Sequence, residues 1–370
     1  LKVGFFIYPT CLLLLCALSG LVYVLLQAFL TWKIRRYVPP VASGALPGIS
    51  VIVAAHNEAE RLPGLLQALS SQQYPEFEVI IALDRCTDAS PAVVQATGDP
   101  RIRGVVIAET PAGWTGKKWA LNQAIGEARH AHLAFTDADC TMGPHWLAQL
   151  AGMWSERTAV VIGLGAYTYA PGWLNRLIRW ETFHTAFLMT GMAIAGLPYM
   201  AVGRNLAYRK DFFEKNGGFQ AFKARLSGDD DLLVNAFARK GAVEVAFHPD
   251  SVTHSEPKTS WKSWVRQKLR HVSGSTAYTF RSKLSLALFH GSHVLFYLCL
   301  GINLFQQQTG WGVFTLYFLR MACSWMLFLS VRKKMPEKSM LAWFPVLDLM
   351  TLIYNLTLVP MGLIKTPKWN

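Results

Sequence analysis

The chain has 370 residues, 52% hydrophobic and 16% charged, with a formal net charge of +13. Soluble domains carry about 25% charged residues, so this composition excludes an ordinary soluble globule and puts part of the chain in lipid. The length allows one large domain or two smaller ones. The basic balance suits an anionic membrane face or a nucleotide substrate, and with no aromatic–basic interleaving or recognition motif it excludes nucleic acid as the partner.

The first element is FFIYPTCLLLLCALSGLVYVLLQAFL, residues 5–30, with no acidic or basic side chain in it. A bilayer core needs about 20 such residues. A secretory signal would have a shorter apolar region, about 7–15 residues, and a small-residue cleavage site. Here TWKIRRYVPP follows instead, and Lys33, Arg35 and Arg36 read as a cytoplasmic flank. Residues 1–30 are therefore expected to be a transmembrane helix and 31–45 a linker.

A polar domain is expected over 46–283. PGISVIVAAHNEAERLPGLLQAL opens it with a continuous apolar, β-branched run at 49–55, the pattern of a strand buried in a parallel sheet, and a helix from about 60 to 71. EFEVIIALDRCTD predicts a second strand ending at Asp84 and RIRGVVIAE a third. GKKWALNQAIGEARH reads as a helix, AHLAFTDAD as a strand feeding an acidic pair, and AVVIGLGAY as one more strand. Strands alternating with helices predict an α/β domain with a mostly parallel sheet. AFLMTGMAIAGLPYM, 186–200, reads as a core helix plus loop, or as the wall of a binding site that dips toward the membrane surface. SGDDDLLVNAFARKG, 227–241, sets three acids at the start of an apolar-patterned helix, where acids serve as caps. Two caps would be redundant, however, and adjacent carboxylates raise one another's pKa. SWVRQKLRHVSGS has a basic, apolar rhythm that predicts an amphipathic interfacial helix near 259–279.

Three more apolar segments follow, 284–305, 311–330 and 340–363. QQQTG links the first two, and RKKMPEK, 332–338, is basic enough to lie inside. Four crossings then leave the polar domain in the cytoplasm and both termini outside, although Lys365 and Lys368 count against that placement. Pro345 and Asp348 interrupt the last segment, which leaves re-entrant geometry open and makes Asp348 either a functional group or a packed, paired one. The six cysteines contain no CxxC and read as small apolar residues.

Ligands of parallel α/β sheets gather at the carboxyl ends of strands. That rule selects His56, Asn57 and Glu58 after the first strand, Asp84 after the second, and Asp137 and Asp139 after the later one. Acids converging on one crevice call for a positive partner, and a hard divalent cation with a diphosphate supplies it. Lys117 or Lys118 is placed to add charge there, or to be an ordinary solvated lysine at a helix start. One acid of the 229–231 group suits a general base near neutral pH.

With these motifs in order over about residues 46–280, the chain resembles the membrane-embedded family 2 glycosyltransferases, the group of cellulose, chitin and hyaluronan synthases and ceramide glucosyltransferase. ISVIVAAHNEAERL resembles the family's first strand and nucleotide loop, IALDRCTDAS its base-binding stretch, GKKWALNQAI its GKxxALN pattern, and TDADC its DxD element. VGRNLAYRK is similar to its acceptor-side loop, GDDDLL to its ED motif, and QKLRH to QxxRW. The resemblance implies a GT-A fold and a nucleotide-sugar site at Ala55, Asn57, Glu58, Asp84, Lys117, Asp137 and Asp139. Asp137 and Asp139 would bind Mg²⁺ or Mn²⁺, and Asp230, or Asp229, would be the base. Gly203, Arg204, Asn205, Gln267, Arg270 and His271 would lie on the acceptor side. His271 stands where processive members have a tryptophan, which points away from processivity. The implied activity is inverting transfer from a nucleoside diphosphate sugar, UDP-linked by resemblance with GDP open, to a lipid or lipid-linked acceptor, in a multi-pass protein of a bacterial inner membrane. The rivals are a processive polysaccharide synthase and a non-catalytic transporter or scaffold on a degenerate fold.

Overall fold

The structure, a computed structural model, describes residues 9–40, 46–306 and 311–364. The start of the first apolar block, residues 41–45 of the linker, most of the QQQTG link, and Lys365 and Lys368 lie outside the described residues.

Helix α1 covers Pro9–Arg36, longer than the apolar block alone, and ends on Lys33, Arg35 and Arg36. Strands β1 (Ile49–Ala55) and β2 (Phe77–Asp84) are the two continuous apolar runs. Helix α2 (Leu62–Ser70) lies between them. Then come α3 (Ser90–Ala96), β3 (Ile102–Ile107), α4 (Gly116–Gly126), β4 (His132–Phe135), β5 (Cys140–Met142) and α5 (Trp146–Ala151). They are followed by β6 (Val160–Ile162), β7 (Gly165–Tyr167), α6 (Trp173–Ile194), β8 (Leu206–Arg209), α7 (Lys210–Lys215), α8 (Asp231–Phe237), β9 (Val243–Val245) and β10 (Thr253–Ser255). The remaining helices are α9 (Trp261–Gly274), α10 (Phe280–Phe305), α11 (Trp311–Val331) and α12 (Phe344–Ile364).

The main sheet has the order β3-β2-β1-β4-β8-β6-β9. The run from β3 to β4 is parallel, β8 is antiparallel to β4 and β6, and β9 is parallel to β6. The fold is thus the mixed α/β architecture with a largely parallel sheet that the alternating pattern predicts. Side chains alternate across a strand, so Val51, Val53, Val79 and Ile81 enter one core and Ile52, Ile80 and Ala82 the other. That second core also holds Tyr23 and Leu30 of α1, Trp180 and Phe187 of α6, Phe328 of α11 and Phe344 of α12. The sheet and the long apolar helices therefore share one interior.

The expected single strand over 159–167 is in fact two. β6 stays in the main sheet, while β7 joins a small sheet of order β5-β10-β7. The break at Gly163–Leu164 makes room for a turn at 203–205. A Cβ on Gly163 would overlap the Asn205 side chain, and one on Gly165 would overlap the guanidinium of Arg204. The 186–200 stretch resolves into the C-terminal half of α6 and a following loop, with Ala186, Phe187, Leu188, Met189 and Met192 buried. α6 packs closely on α1, with Leu30 Cβ at 3.0 Å from where a Gly191 Cβ would stand.

Four described helical stretches are long and apolar enough to cross a membrane: Thr10–Arg36, Phe280–Phe305, Trp311–Lys334 and Lys338–Ile364. Asp348 proves to be a paired carboxylate. Arg320 of α11 grips it through both guanidinium ends, the second at 3.2 Å. Tyr297 donates to it at 2.6 Å, and His293 Nε2 lies 3.3 Å away. Pro345 sits in the first turn of α12, where it costs no helical hydrogen bond.

Candidate active site

The loops after β1 and β2 are tied to each other. Asn57 takes a left-handed backbone, φ 55°, and its Oδ1 accepts from the amide of Thr87 at 2.8 Å. His56 Nδ1 bonds the Asp84 carbonyl at 2.5 Å, and the Glu58 amide donates to Ser90 Oγ at 2.9 Å. Asp88, which sequence reasoning missed, accepts from the Ala59 amide at 3.0 Å. Glu58 pairs with Arg61 at 2.7 Å. Asp84 is buried and bidentate with Arg85, at 2.8 and 3.0 Å. Ala55 is buried at the end of β1.

Next along the sheet, the two acidic clusters meet on one side chain. Lys117, at the first turn of α4, places Nζ 3.0 Å from Asp137 Oδ1 and 3.0 Å from Asp229 Oδ2. Lys117, Asp137, Asp229, Asp230 and Gly203 line one crevice. Asp137, Asp229 and Asp230 keep the Lys117 ammonium well above its usual range, against the pull of burial. Lys118 turns the other way. It is buried, and its Nζ donates to the carbonyls of Arg225 and Ser227, the latter at 2.9 Å. This anchors the segment leading into the acids. A signal for it was present: Lys118, Leu121 and Ile125 recur at helical spacing, and all three are buried.

The three adjacent acids behave differently. Burial opposes ionisation at Asp229, but Lys117 and Lys118 outweigh it and hold the carboxyl low, at about 2. At Asp230 burial, then Asp229 and Asp231, push it up to about 8. Burial also raises Asp231, to about 6, although the Tyr278 hydroxyl donates to its Oδ2 at 2.7 Å. Asp230 caps α8 by accepting from the Asp231 amide at 2.7 Å, and its other oxygen accepts from the Gly203 amide at 2.5 Å. The residue expected to be the base is thus also the cap of α8.

Of the residues expected on the acceptor side, Arg204 stacks on Tyr167, 4.2 Å from ring centroid to guanidinium carbon, and donates to Ser255 Oγ at 2.8 Å and the Gly165 carbonyl at 3.1 Å. Asn205 is buried. It bonds Trp146, Leu164 and Ser251 and so holds the turn from within. α9 carries Gln267 and Arg270, both half-buried, and an exposed His271. It touches the acidic segment where Ser227 Oγ donates to the Arg270 carbonyl at 3.4 Å. The crevice thus gathers Asp137, Asp229, Asp230, Lys117 and Gly203, while Asp139 is not among its lining residues. Asp84 and Asn205 are engaged by protein partners beside it.

A divalent cation would have to be held by carboxylates at this crevice. Among the described residues, no group of three or more His, Cys, Asp or Glu side chains is gathered to hold a metal. Asp139 is nonetheless raised by burial, by Asp137 and by Glu58, and it forms no ion pair with a cation among the described residues. A hard cation that takes one or two carboxylates and fills its shell with phosphate and water oxygens fits this pair.

The glycosyl transferase family 21 model matches residues 12–359 of the chain. Among curated proteins, the probable glycosyltransferase YdaM of Bacillus subtilis is 28% identical over 242 residues, which are 62% of this chain and 56% of that protein. A beta-monoglucosyldiacylglycerol synthase of Nostoc is 24% identical over 219 residues, 58% of this chain and 46% of its own length. The matched part of the chain thus spans about half the length of these relatives. Among solved structures, the mannosyltransferase PcManGT of Pyrobaculum calidifontis, in complex with GDP-Man and Mn²⁺, aligns with a TM-score of 0.61 at 17% identity, over 94% of this chain and 99% of that one. That likeness is one of fold.

Proposed function

The chain belongs to glycosyl transferase family 21, and from that premise we propose that it is an inverting, metal-dependent transferase moving a sugar from a nucleoside diphosphate donor to a lipid or lipid-linked acceptor. The reading rests above all on Lys117, which joins Asp137 to Asp229 across one crevice at 3.0 Å on each side. An ammonium held between two acid clusters is placed to receive a diphosphate. The residues that pair with it are then free to face the cation and the sugar.

In this scheme the loops after β1 and β2, with Asn57, Glu58 and Asp84, hold the nucleotide. Asp137 and Asp139 would bind Mg²⁺ or Mn²⁺, which would neutralise charge on the departing diphosphate. Lys117 adds a fixed positive charge against the same oxygens. Asp230, raised above the ordinary carboxylate range, takes the proton of the acceptor hydroxyl. That oxygen forms a bond to the anomeric carbon as the bond to the diphosphate oxygen breaks, and both electrons leave with the diphosphate. Asp229, held low by the lysines, stays ionised and orients Lys117. Gly203 orients Asp230 through its amide, while Arg204, Gln267, Arg270 and His271 border the acceptor. The four long apolar helices and the monoglucosyldiacylglycerol in the name of the Nostoc relative favour a lipid acceptor over a soluble sugar. UDP is the nucleotide the motif resemblance favours, and the domain is assigned to the cytoplasmic side from the basic flanks.

The test is a panel of UDP- and GDP-sugars incubated with the protein and extracted membrane lipids, with and without Mn²⁺, read by mass spectrometry. One hexose added to a lipid, only with the cation, is the expected product. Long polymers, or equal transfer to soluble sugars, would refute the lipid reading.

A further inference from the structure

Helix α12 is long and apolar enough to cross a membrane, yet both of its ends return to the sheet domain. Its 21 residues extend about 31 Å, which crosses a hydrocarbon core of about 30 Å only with the two ends on opposite faces. The start lies on the domain's side. Arg176 of α6 stacks on Trp343, just before α12, with its guanidinium carbon 4.5 Å from the ring centroid. Phe344 packs on Trp180 of α6 and on Phe328, near the end of α11. The middle stays there: Trp180 donates to Thr351 Oγ1 at 2.8 Å, and Leu358 shares a small core with Ile178 of α6 and Trp264 of α9. So does the end. A Cβ on Gly362 would stand 2.6 Å from Val272 Cβ and 3.3 Å from the Leu269 carbonyl oxygen of α9. Both partner helices belong to the domain. α6 packs against β7 and β9, and a Cβ on Gly274, the last residue of α9, would stand 2.7 Å from Ser227 Oγ, beside the acids of the crevice.

The other long apolar helices behave differently. The ends of α1, α10 and α11 that lie away from the domain meet one another: Leu12 and Cys16 pack with Cys299, and a Gly312 Cβ would stand 3.8 Å from Leu13 Cδ2. The second half of α12 goes to α9 instead of to that group. Its opposite side carries Leu349, Ile353, Leu356 and Leu363, all exposed and spaced as one face of a helix. We propose that α12 does not cross the bilayer but lies in the leaflet on the sheet domain's side, with that apolar face in the acyl region and Ile364 at the domain's face. Its partner is therefore a single lipid leaflet, and its tilt is set by packing on α6 and α9. Three crossings remain, α1, α10 and α11, so the chain leaves α12 on the crevice's side. Four crossings would set Lys365 and Lys368 across the membrane from Lys33, Arg35 and Arg36. Three crossings put these cations on one face, as the basic bias of cytoplasmic flanks requires. None of this depends on the transfer reaction.

The full chain, in sealed membrane vesicles of either orientation, is treated with a membrane-impermeant amine-reactive reagent, and its lysines are read by peptide mass spectrometry. Lys215, exposed on the sheet domain, marks the domain's face, and Lys2, before α1 in the chain, marks the opposite one. Lys365 and Lys368 are expected to be labelled in the vesicles that label Lys215. Labelling together with Lys2 instead would overturn the proposal. An epitope appended after Asn370 gives the same reading by protease. Its loss from vesicles that expose Lys215 supports the proposal, and its loss only from vesicles of the other orientation overturns it. Gly362→Leu, which drives a side chain into Val272, should lower the thermal midpoint in detergent. Gly301→Leu in α10, where nothing lies within 4 Å of the new Cβ, should leave it unchanged. Equal midpoints for the two variants would remove the contact with α9 and the proposal with it.

Discussion

Lys118 and Lys117 are neighbours in sequence with opposite surroundings. Lys117 faces the crevice, while Lys118 is buried among backbone carbonyls and adds positive charge beneath the acids. Replacing Lys118 by Met removes a cation that favours the ionised forms of Asp230 and of its neighbours Asp229 and Asp231, and leaves two carbonyls without a donor. The expected outcome is a loss of about 1–3 kcal/mol in stability, seen in the thermal midpoint, with the acidic limb of the pH–rate profile moved to higher pH. Asp230 carries the second prediction. A base works only when deprotonated, and its folded pKa is raised to about 8. Turnover should therefore climb as pH rises through the neutral range and level off above that value. Asp230→Asn should abolish this dependence and lower kcat by about 10²–10⁴-fold, with nucleotide affinity, followed by calorimetry with UDP or GDP, nearly unchanged. Asp229→Asn should instead weaken nucleotide binding, because Lys117 loses the anchor that aims it.

Among the elements, the loop between α11 and α12 reaches into the sheet domain. Glu337 is buried, accepts from the Tyr167 amide at 2.9 Å and pairs with Arg179 of α6 at 2.6 Å. Tyr167 in turn supports Arg204 beside the crevice. Glu337→Ala strands the arginine and should cost about 3 kcal/mol, measured as a lower melting temperature. It should also lower turnover by loosening the Arg204 side of the site. This link had no signature in the sequence, where RKKMPEK reads only as a basic connector. What periodicity did reveal was local. The apolar runs of β1 and β2, the helix at GKKWALNQAIG and the strand feeding Asp137 are each decided by neighbours in the chain. The split of 159–167 into β6 and β7 depends on Asn205 and Arg204, some forty residues away in the chain, so no window around Gly163 could show it. In the same way, the acidic motifs were legible as motifs, but their meeting on Lys117 is a product of the sheet order.

At the scale of the whole molecule, the apolar helices are held by a polar knot. Asp348, Arg320 and His293 are each no more than 3% exposed, and with Tyr297 and Tyr23 they draw together α12, α11, α10 and α1. Asp348→Leu alone leaves a buried guanidinium uncompensated and should destabilise the protein by about 3–5 kcal/mol. Asp348→Leu together with Arg320→Leu should cost far less, because well-packed apolar pairs replace buried ion pairs at little cost. Thermal unfolding of both variants in detergent checks the pair, and equal losses would show the ion pair to be incidental. The knot was half visible: Asp348 stood out in an apolar run, and Arg320 passed unnoticed in the middle of another. The grip that α1, α6 and the 332–343 loop exert on the sheet domain has a different outcome. Lys334 closes α1, Gly191 lets α6 lie against Leu30, and Glu337 fastens the far side. These contacts tie the sheet domain that carries the crevice to the apolar helices at three places. On the proposal of a lipid acceptor, such a platform would act as a ruler: it would measure the reach between the acceptor's anchored tail and its reactive oxygen, and a molecule too short or too long for that span would go unserved whatever its chemistry.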